Sequence, residues 1–281
     1  MIDLEKIRRG KPIKELLDFS LINIDKPTGP TSFEVSVRVR EMLGLKKAGH
    51  CGTLDPAVTG VLPITLGRAC RMADYFKNKE KTYVGIMRLH EPVNHEVLKK
   101  ALKAFTGTIT QLPPVRSQVK RVERQRTVHH FKIIEREGND VLFETKVQAG
   151  TYIRKLIHDL GLHIGGAHML ELRRIRAGIF EENATVTLYD LEKAAADYKK
   201  GDEHPLRALL VPAEIVTTIL PSVKLKKEYL EKCLRGSPLF KEFVREIPEG
   251  DFCVTCNDQF VGCYRAVSRG DIIASPLFVL N

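Results

Sequence analysis

One acidic side chain stands out in residues 49–63, which read GHCGTLDPAVTGVLP. The segment has three glycines and two prolines but neither a helical nor a strand period, so special backbone angles determine its shape. Asp55 is its only acid, and Pro56 favours an extended backbone at Asp55. A rigid loop that presents one carboxylate is typical of a catalytic acid, base or nucleophile. The alternative is a turn in which Asp55 caps the following segment.

The elements before this loop form a small module that can hold it. The apolar run LINI at 21–24 predicts a strand, and DKPTGPTS follows it. Thr31 and Glu34 have the spacing of a capping box, and the apolar stripe behind them predicts a helix that ends at Gly44. This order of strand, proline turn, helix and rigid loop places Lys26 and Asp55 on the same side of the module.

Two further side chains on predicted elements, a tyrosine and an arginine, are candidate functional residues. Tyr83 is near the start of a strand predicted over 81–89, where a lone tyrosine is most often a half-buried aromatic. Arg154 lies at the edge of the apolar stripe of a helix bounded by Thr151 and Gly161. Its guanidinium can meet a partly buried carboxylate, with a surface salt bridge as the ordinary alternative. The other predicted elements are strands over 61–66 and 141–148 and helices over 96–105 and 184–200.

The chain is basic, with 45 Lys and Arg against 35 Asp and Glu and a formal net charge of +10. This balance favours a polyanionic partner. The charge is densest in the segment QLPPVRSQVKRVERQR, which contains a single acid, Glu123, and five cations: Arg116, Lys120, Arg121, Arg124 and Arg126. Such a cluster favours nucleic-acid phosphates over the alternative of a solvated charged face. Residues 1–20 are also basic, and they either pack on a neighbouring domain or touch a phosphate backbone.

Membrane and metal functions have little support. No apolar run approaches the roughly 20 residues of a membrane span, and the amino terminus lacks a hydrophobic signal core, so we expect a soluble, cytoplasmic protein with no membrane partner. Cys253, Cys256 and Cys263 include one Cys-x-x-Cys pair without a second pair, so we interpret them mainly as small strand residues. Histidines at 158, 163 and 168 recur every five residues, which on a helix fits no His-x-x-x-His metal pair.

The residue pattern of the sequence changes near residues 215–220. Beyond a short helix in PSVKLKKEYLEKCLRG, residues 249–280 contain Gly-Asp, Asn-Asp and Arg-Gly-Asp turns, which predict four short strands. We therefore expect a small barrel-like carboxy-terminal domain of about 60 residues.

The motifs GHCGTLDPAVTGVLP, KTYVG, QLPPVRSQVKR, AGTYIRKLIHDLG and HMLELRRIRAG stand in one order and together resemble the TruB and dyskerin family of pseudouridine synthases. The short stretch between Tyr83 and Pro113 makes the chain more similar to the archaeal H/ACA branch related to dyskerin. The resemblance implies an α+β fold: a catalytic domain over 21–217, with a mixed, mainly antiparallel sheet flanked by helices, after a basic segment over 1–20. Residues 218–281 resemble a β-barrel-like PUA domain, although their cysteine content departs from that pattern.

The same resemblance implies roles for individual residues. It makes Asp55 the catalytic aspartate, Tyr83 the aromatic that stacks on the target base and takes part in proton removal, and Arg154 the ion-pair partner of Asp55. Leu172 lines the base pocket, and Lys26 supports the catalytic loop. The remaining substrate-binding residues are His50, beside the flipped nucleotide, and the cations Arg116, Lys120 and Arg121.

The implied function is an RNA pseudouridine synthase that needs no metal or organic cofactor. Its implied substrates are ribosomal RNA and also transfer RNA, and its implied partners are a box H/ACA guide RNA and small H/ACA ribonucleoprotein proteins. A stand-alone synthase for the T-arm of transfer RNA is the alternative within the family. Outside it, the alternatives are a non-catalytic RNA-binding scaffold and a metal-dependent nucleic-acid enzyme.

Overall fold

The computed structural model describes residues 2–113 and 120–281. Its larger sheet contains ten of the described strands, in the order β10-β1-β3-β8-β4-β7-β6-β5, with β2 on β3 and β9 on β8. In chain order these strands are β1 Ser20–Lys26, β2 Ala48–His50, β3 Thr59–Leu66, β4 Lys81–Leu89, β5 Gly107–Gln111, β6 Arg124–Glu137, β7 Asp140–Val147, β8 Ala167–Ala177, β9 Phe180–Glu181 and β10 Val211–Pro212. Strands β3 and β8 run parallel, and the other paired strands of this described sheet run antiparallel. The prediction of a mixed, mainly antiparallel sheet is confirmed.

Several helices bury apolar side chains in the core that covers this sheet. The α-helices of the described chain are α1 Leu4–Gly10, α2 Ile13–Asp18, α3 Ser32–Met42, α4 Ala73–Lys77, α5 His95–Ala104, α6 Ile153–Gly161, α7 Leu188–Lys199, α8 His204–Leu209 and α9 Leu230–Leu234. Helix α3 begins with the predicted capping box, in which the Thr31 side chain accepts from the Glu34 N–H and the Glu34 carboxylate accepts from the Thr31 N–H. Helix α7 starts four residues later than predicted, because Thr187 caps it and residues 182–184 form a separate 3-10 turn.

The basic leader is part of the folded body. Helix α2 buries Ile13, Leu16 and Leu17 in the main apolar core, and Lys11 pairs with the buried carboxylate of Glu214. Arg207 donates to the Lys11 carbonyl at 2.8 Å. Of the two uses left open for residues 1–20, packing on neighbouring structure is therefore the one that these contacts support.

A second sheet of five strands, ordered β11-β13-β14-β15-β12, follows the first. Its strands are β11 Ser222–Lys224, β12 Leu239–Phe240, β13 Asp251–Cys256, β14 Gln259–Arg269 and β15 Ile272–Val279. The prediction of four strands within 249–280 is wrong, since only Asn257–Asp258 and Gly270–Asp271 interrupt three longer strands there. Asn257 and Asp258 have φ of 47° and 63°, which suit a tight hairpin turn.

The two sheets share an apolar cluster. Phe19, just before β1, stacks on Phe260 and Phe278 of the second sheet with ring centroids 5.9 and 5.2 Å apart. Cys253 and Cys263 belong to the same buried cluster, in agreement with their interpretation as strand residues. Among the described residues, no helix is long and apolar enough to cross a membrane.

Candidate active site

The structure brings together the two charged residues singled out from the sequence. The Asp55 Oδ2 atom lies 3.2 Å from the Arg154 Nε atom, in the first turn of α6. The Asp55 side chain is 49% exposed and that of Arg154 is 66% exposed. Of the two arrangements left open for Arg154, the contact is the surface salt bridge, because both side chains are substantially exposed and water screens the pair.

Lys26 fixes the loop that carries Asp55. Its side chain is fully buried, and its Nζ atom donates to the carbonyls of Pro27, Pro56 and Val58 at 2.8, 3.0 and 2.9 Å. Two of these carbonyls, those of Pro56 and Val58, follow Asp55 within three residues. Burial lowers the pKa of the Lys26 ammonium, an effect that the negative charge of Asp55 opposes and that Arg174 reinforces. A donor with three fixed acceptors leaves the loop little freedom.

Ser32 fixes the same loop from the first turn of α3. Its hydroxyl accepts from the Leu54 N–H at 2.7 Å and donates to the Leu54 carbonyl at 3.0 Å. Both backbone polar groups of the residue before Asp55 are therefore satisfied by one buried side chain.

Arg174, on β8, holds the start of the loop. Its side chain is 1% exposed, and it donates to the carbonyls of Val61 and Gly52 at 2.8 and 3.1 Å. Gly60 lies beside it with φ +99°, and a Cβ there would lie 2.2 Å from the Arg174 carbonyl oxygen. The sequence analysis did not single out Arg174 or Ser32, because the backbone groups that they bind are distant in sequence.

Tyr83 and Leu172 are buried on the face of the sheet that also carries Arg174. Tyr83 lies opposite Arg174 in the pairing of β4 with β8, and Leu172 precedes Arg174 by two positions, so the three side chains share one face of the sheet. Tyr83 and Leu172 are each 8% exposed. They belong to the same apolar cluster as Leu54 and Ile153, the residues just before Asp55 and Arg154. Through Leu54 and Ile153 this apolar cluster, here called the apolar wall, reaches the two residues of the ion pair.

His50 ends β2, where the chain enters the loop. Its Nδ1 atom is buried and has no hydrogen-bond partner among the described residues. Burial lowers the pKa of the His50 imidazole, and the positive charges of Lys77 and Arg174 lower it further. His50 is consequently a neutral ring at neutral pH, able to exchange a hydrogen bond with a base rather than a charge contact with phosphate.

The structure describes part of the predicted cationic segment. Lys120 and Arg121 are exposed just before β6, whereas Arg116 lies outside the described residues. Arg126, on β6, places its guanidinium against Gly150, in the turn that leads to α6. The basic hairpin of β5 and β6 therefore lies on the side of the sheet where α6 begins.

The described residues contain no group of three or more His, Cys, Asp or Glu side chains that could hold a metal ion. The three regularly spaced histidines lie on different parts of the fold, since His158 lies on α6, His163 follows that helix and His168 lies on β8. The His168 Nδ1 atom instead contacts the His90 Nε2 atom at 2.9 Å.

Two family models cover consecutive parts of the chain. The TruB family pseudouridylate synthase N-terminal domain matches residues 40–153, and the tRNA pseudouridylate synthase B C-terminal domain matches residues 154–217. Curated relatives agree: the "Probable tRNA pseudouridine synthase B" of Methanosarcina barkeri is 44% identical over 231 residues, 82% of this chain and 68% of the relative. The protein of the same name from Methanopyrus kandleri is 45% identical over 242 residues, 85% of this chain and 72% of the relative. The chain belongs to the TruB family of pseudouridine synthases.

Solved structures extend the TruB-family match to nearly the whole chain. A "Cbf5-Nop10-Gar1 Complex" contains a chain that is 38% identical with a TM-score of 0.88, and the match covers 97% of this chain and 88% of that one. An "H/ACA RNP bound to a substrate RNA containing 2'-deoxyuridine" gives 36% identity and a TM-score of 0.86, over 98% of this chain and 89% of that one. The fold is thus the α+β fold of TruB pseudouridine synthases, and the enzyme is an isomerase of RNA uridine.

Proposed function

We propose that this TruB-family enzyme isomerises uridine in ribosomal RNA as the catalytic subunit of a box H/ACA guide ribonucleoprotein, with Asp55 as its catalytic carboxylate. The observation that carries the proposal is the contact between Asp55 and Arg154. Asp55 lies on a loop that Lys26 and Arg174 hold in place. The relatives in the Cbf5-Nop10-Gar1 and H/ACA structures support a guide RNA and small protein partners.

The target nucleotide has to leave the stacked helix before it can reach Asp55. A flipped uridine can stack on the ring of Tyr83 and contact Leu172, since both lie on the apolar wall beside the ion pair. His50, as a neutral ring, contacts the extruded nucleotide on the side of β2. The exposed cations Lys120 and Arg121 bind the phosphates that flank it, as we propose also for Arg116.

The reaction begins at the sugar. Asp55 either attacks C1′, which breaks the bond to N1 and forms a glycosyl ester, or removes the C2′ proton, which expels the base with the electron pair of the same bond. The released base turns so that its C5 atom faces C1′. A bond between C5 and C1′ then forms. On the first route the ester bond between C1′ and Asp55 breaks in this step, and on the second route C2′ regains the proton that Asp55 had taken. The C5 proton then leaves, and N1 gains a proton. No electron acceptor or donor is consumed, so the chemistry needs no organic cofactor.

The contact between Arg154 and Asp55 becomes stronger when RNA covers the site. Without RNA the pair is screened by water, but a nucleotide seated on the apolar wall removes that water and strengthens the attraction between the two charges. Tyr83 either accepts the C5 proton or orients the base so that this proton can be removed.

We propose that residues 218–281 form a PUA domain that binds RNA by backbone and shape, after a catalytic domain over 21–217 and a basic segment over 1–20. The five-stranded sheet that begins at Ser222 supports this division. Sequence choice then falls to the guide strand. The alternative, a stand-alone synthase that acts on the T-arm of transfer RNA, is favoured by the names of the curated relatives.

The test uses uridine labelled with tritium at C5, because the isomerisation releases this hydrogen to water. Asp55→Asn should bind RNA within about threefold of wild type and release no tritium. Asp140→Asn is the matched control. Asp140 also pairs with an arginine, Arg88, at 2.6 Å, and this pair lies at the end of β4 that is distant from Tyr83. Activity of Asp55→Asn near the wild-type level would refute the catalytic assignment.

Two substrates separate the candidate functions. A guide-paired ribosomal fragment, assayed with the H/ACA partner proteins, should turn over faster than a bare transfer RNA T-arm. The reverse preference would favour the stand-alone function. Binding of both RNAs without tritium release by the wild type would favour the non-catalytic scaffold.

A further inference from the structure

Gln111 makes an unusual pair of contacts with the backbone near Arg154. It ends β5 and is 3% exposed. Its Oε1 atom accepts from the Tyr152 N–H at 3.0 Å, and its Nε2 atom donates to the Tyr152 carbonyl at 3.2 Å. Both backbone polar groups of Tyr152 are thus bound by one buried amide.

Tyr152 is the residue from which α6 starts. It is the N-cap of that helix, and the cap has no side-chain hydrogen bond of the kind that Ser, Thr, Asp or Asn supplies. The Tyr152 carbonyl accepts the helical bond from the Leu156 N–H at 2.9 Å in addition to the bond from Gln111. A contact from a distant strand therefore fixes the position at which the helix begins.

Arg154 depends on this start because, in the part of the chain that the structure describes, Asp55 is the one charged partner of its side chain. Its side chain is 66% exposed, in the first turn of α6, and a long exposed arginine has many rotamers. The start of α6 therefore decides from which backbone position the Arg154 side chain reaches the Asp55 carboxylate. Gln111 also pairs with Arg124 across β5 and β6, so the hairpin with the exposed cations is joined to the helix that carries Arg154.

We propose that Gln111 is a positioning residue for the pseudouridine synthase reaction: it fixes the first turn of α6 so that Arg154 meets Asp55. This inference rests on the proposed function of that ion pair. A displacement of a catalytic group by about 1 Å can lower a rate by two orders of magnitude, so loss of both bonds acts on catalysis even though Gln111 touches no substrate.

The test replaces Gln111 by leucine, which has a similar volume and makes neither bond. Gln111→Leu should lower the single-turnover rate about 10- to 100-fold and change RNA affinity by less than about threefold. In an Arg154→Gln background the same change should lower the rate by less than about threefold, because Gln111 acts through Arg154. Additive losses in this double-mutant cycle would overturn the proposal.

Asn23→Leu is the matched control. Asn23 is also 3% exposed, and its amide donates to the carbonyls of Glu181 and Ala184 at 2.9 and 3.2 Å. This variant should lose as much stability as Gln111→Leu and keep its single-turnover rate. Equal rate losses in the two variants would mean that Gln111 acts only through stability, and the proposal would fall.

A measurement that does not depend on turnover separates this inference from the proposed function. The NMR signal of the Arg154 Nε–H group, assigned by its loss in Arg154→Gln, should shift or broaden in Gln111→Leu and stay in place in Asn23→Leu. An unchanged signal in Gln111→Leu would overturn the positioning role even in an inactive enzyme. A shifted signal in a protein that isomerises no uridine would support the positioning role and refute only the proposed function.

Discussion

Replacing Arg154 by glutamine should separate catalysis from stability. In the free protein the charges of Arg154 and Asp55 lie 3.2 Å apart and are exposed to water. At a dielectric constant of 80, Coulomb's law gives an attraction of about 1.3 kcal/mol at that distance. The cost of ordering two exposed side chains offsets most of it, so the free energy of unfolding should change by less than about 1 kcal/mol.

Bound RNA changes the size of this attraction. At an effective dielectric constant of about 20, the same distance gives about 5 kcal/mol, so the pair gains roughly 4 kcal/mol when a nucleotide displaces water. Each 1.4 kcal/mol is a factor of ten in rate, and part of this gain is already present in the bound ground state. Arg154→Gln should therefore lower the single-turnover rate by about 10²- to 10³-fold.

The assay combines tritium release from labelled uridine, RNA binding by filter retention and urea unfolding. Arg88→Gln is the matched control, since Arg88 makes a two-bond contact with Asp140 at 2.7 and 2.6 Å on the same strand as Tyr83. It should leave the rate unchanged. A rate for Arg154→Gln within threefold of wild type would refute the reasoning. So would a loss of stability above about 2 kcal/mol, because the pair would then be a structural contact.

Two buried lysines give further predictions. Lys26→Met should destabilise the protein by about 2 to 4 kcal/mol in urea unfolding, because three carbonyls lose a charged donor. The exposed control Lys46→Met should change the free energy of unfolding little. Equal urea midpoints for the two variants would contradict this role of Lys26. Burial, with the nearby charge of Arg174, lowers the pKa of Lys81 to about 8, so above pH 8 the unfolded chain holds a proton that the folded chain has released. Wild-type stability relative to Lys81→Met should therefore rise by up to about 3 kcal/mol between pH 8 and 10.5, and a flat difference would contradict the shifted pKa.

Local patterns in the sequence predicted the elements that hold the site. The capping box at Thr31, the strand at Tyr83 and the helix at Arg154 each depend on residues within one or two turns of each other, and the structure has all three. Strands β6 and β8 were missed for a physical reason. Register shifts at 128–130 and 133–135 interrupt the alternation of β6, and a shift opposite Tyr83 does the same in β8.

Contacts between distant residues could not be predicted in the same way. Nothing near Gln111 indicates that its amide binds Tyr152, and nothing near Arg174 indicates that its guanidinium binds Gly52. The exposure of Asp55 was also out of reach, because the sequence identifies a charged group without identifying what covers it. The family resemblance identified the residues that meet, whereas the structure identifies the side chains that make them meet.

These contacts separate what the protein contributes at Asp55 from what the RNA contributes. Lys26, Ser32 and Arg174 come from three separate elements, and together they satisfy backbone groups of the loop from Gly52 to Val58. The carboxylate itself stays half exposed. Because the loop is already ordered, RNA binding energy is not spent on arranging it, and the RNA contributes chiefly by excluding water from a charge pair that is in place. A guide-paired target that seats poorly should then bind with nearly full affinity and react slowly, since binding depends on the phosphates and reaction depends on covering Asp55.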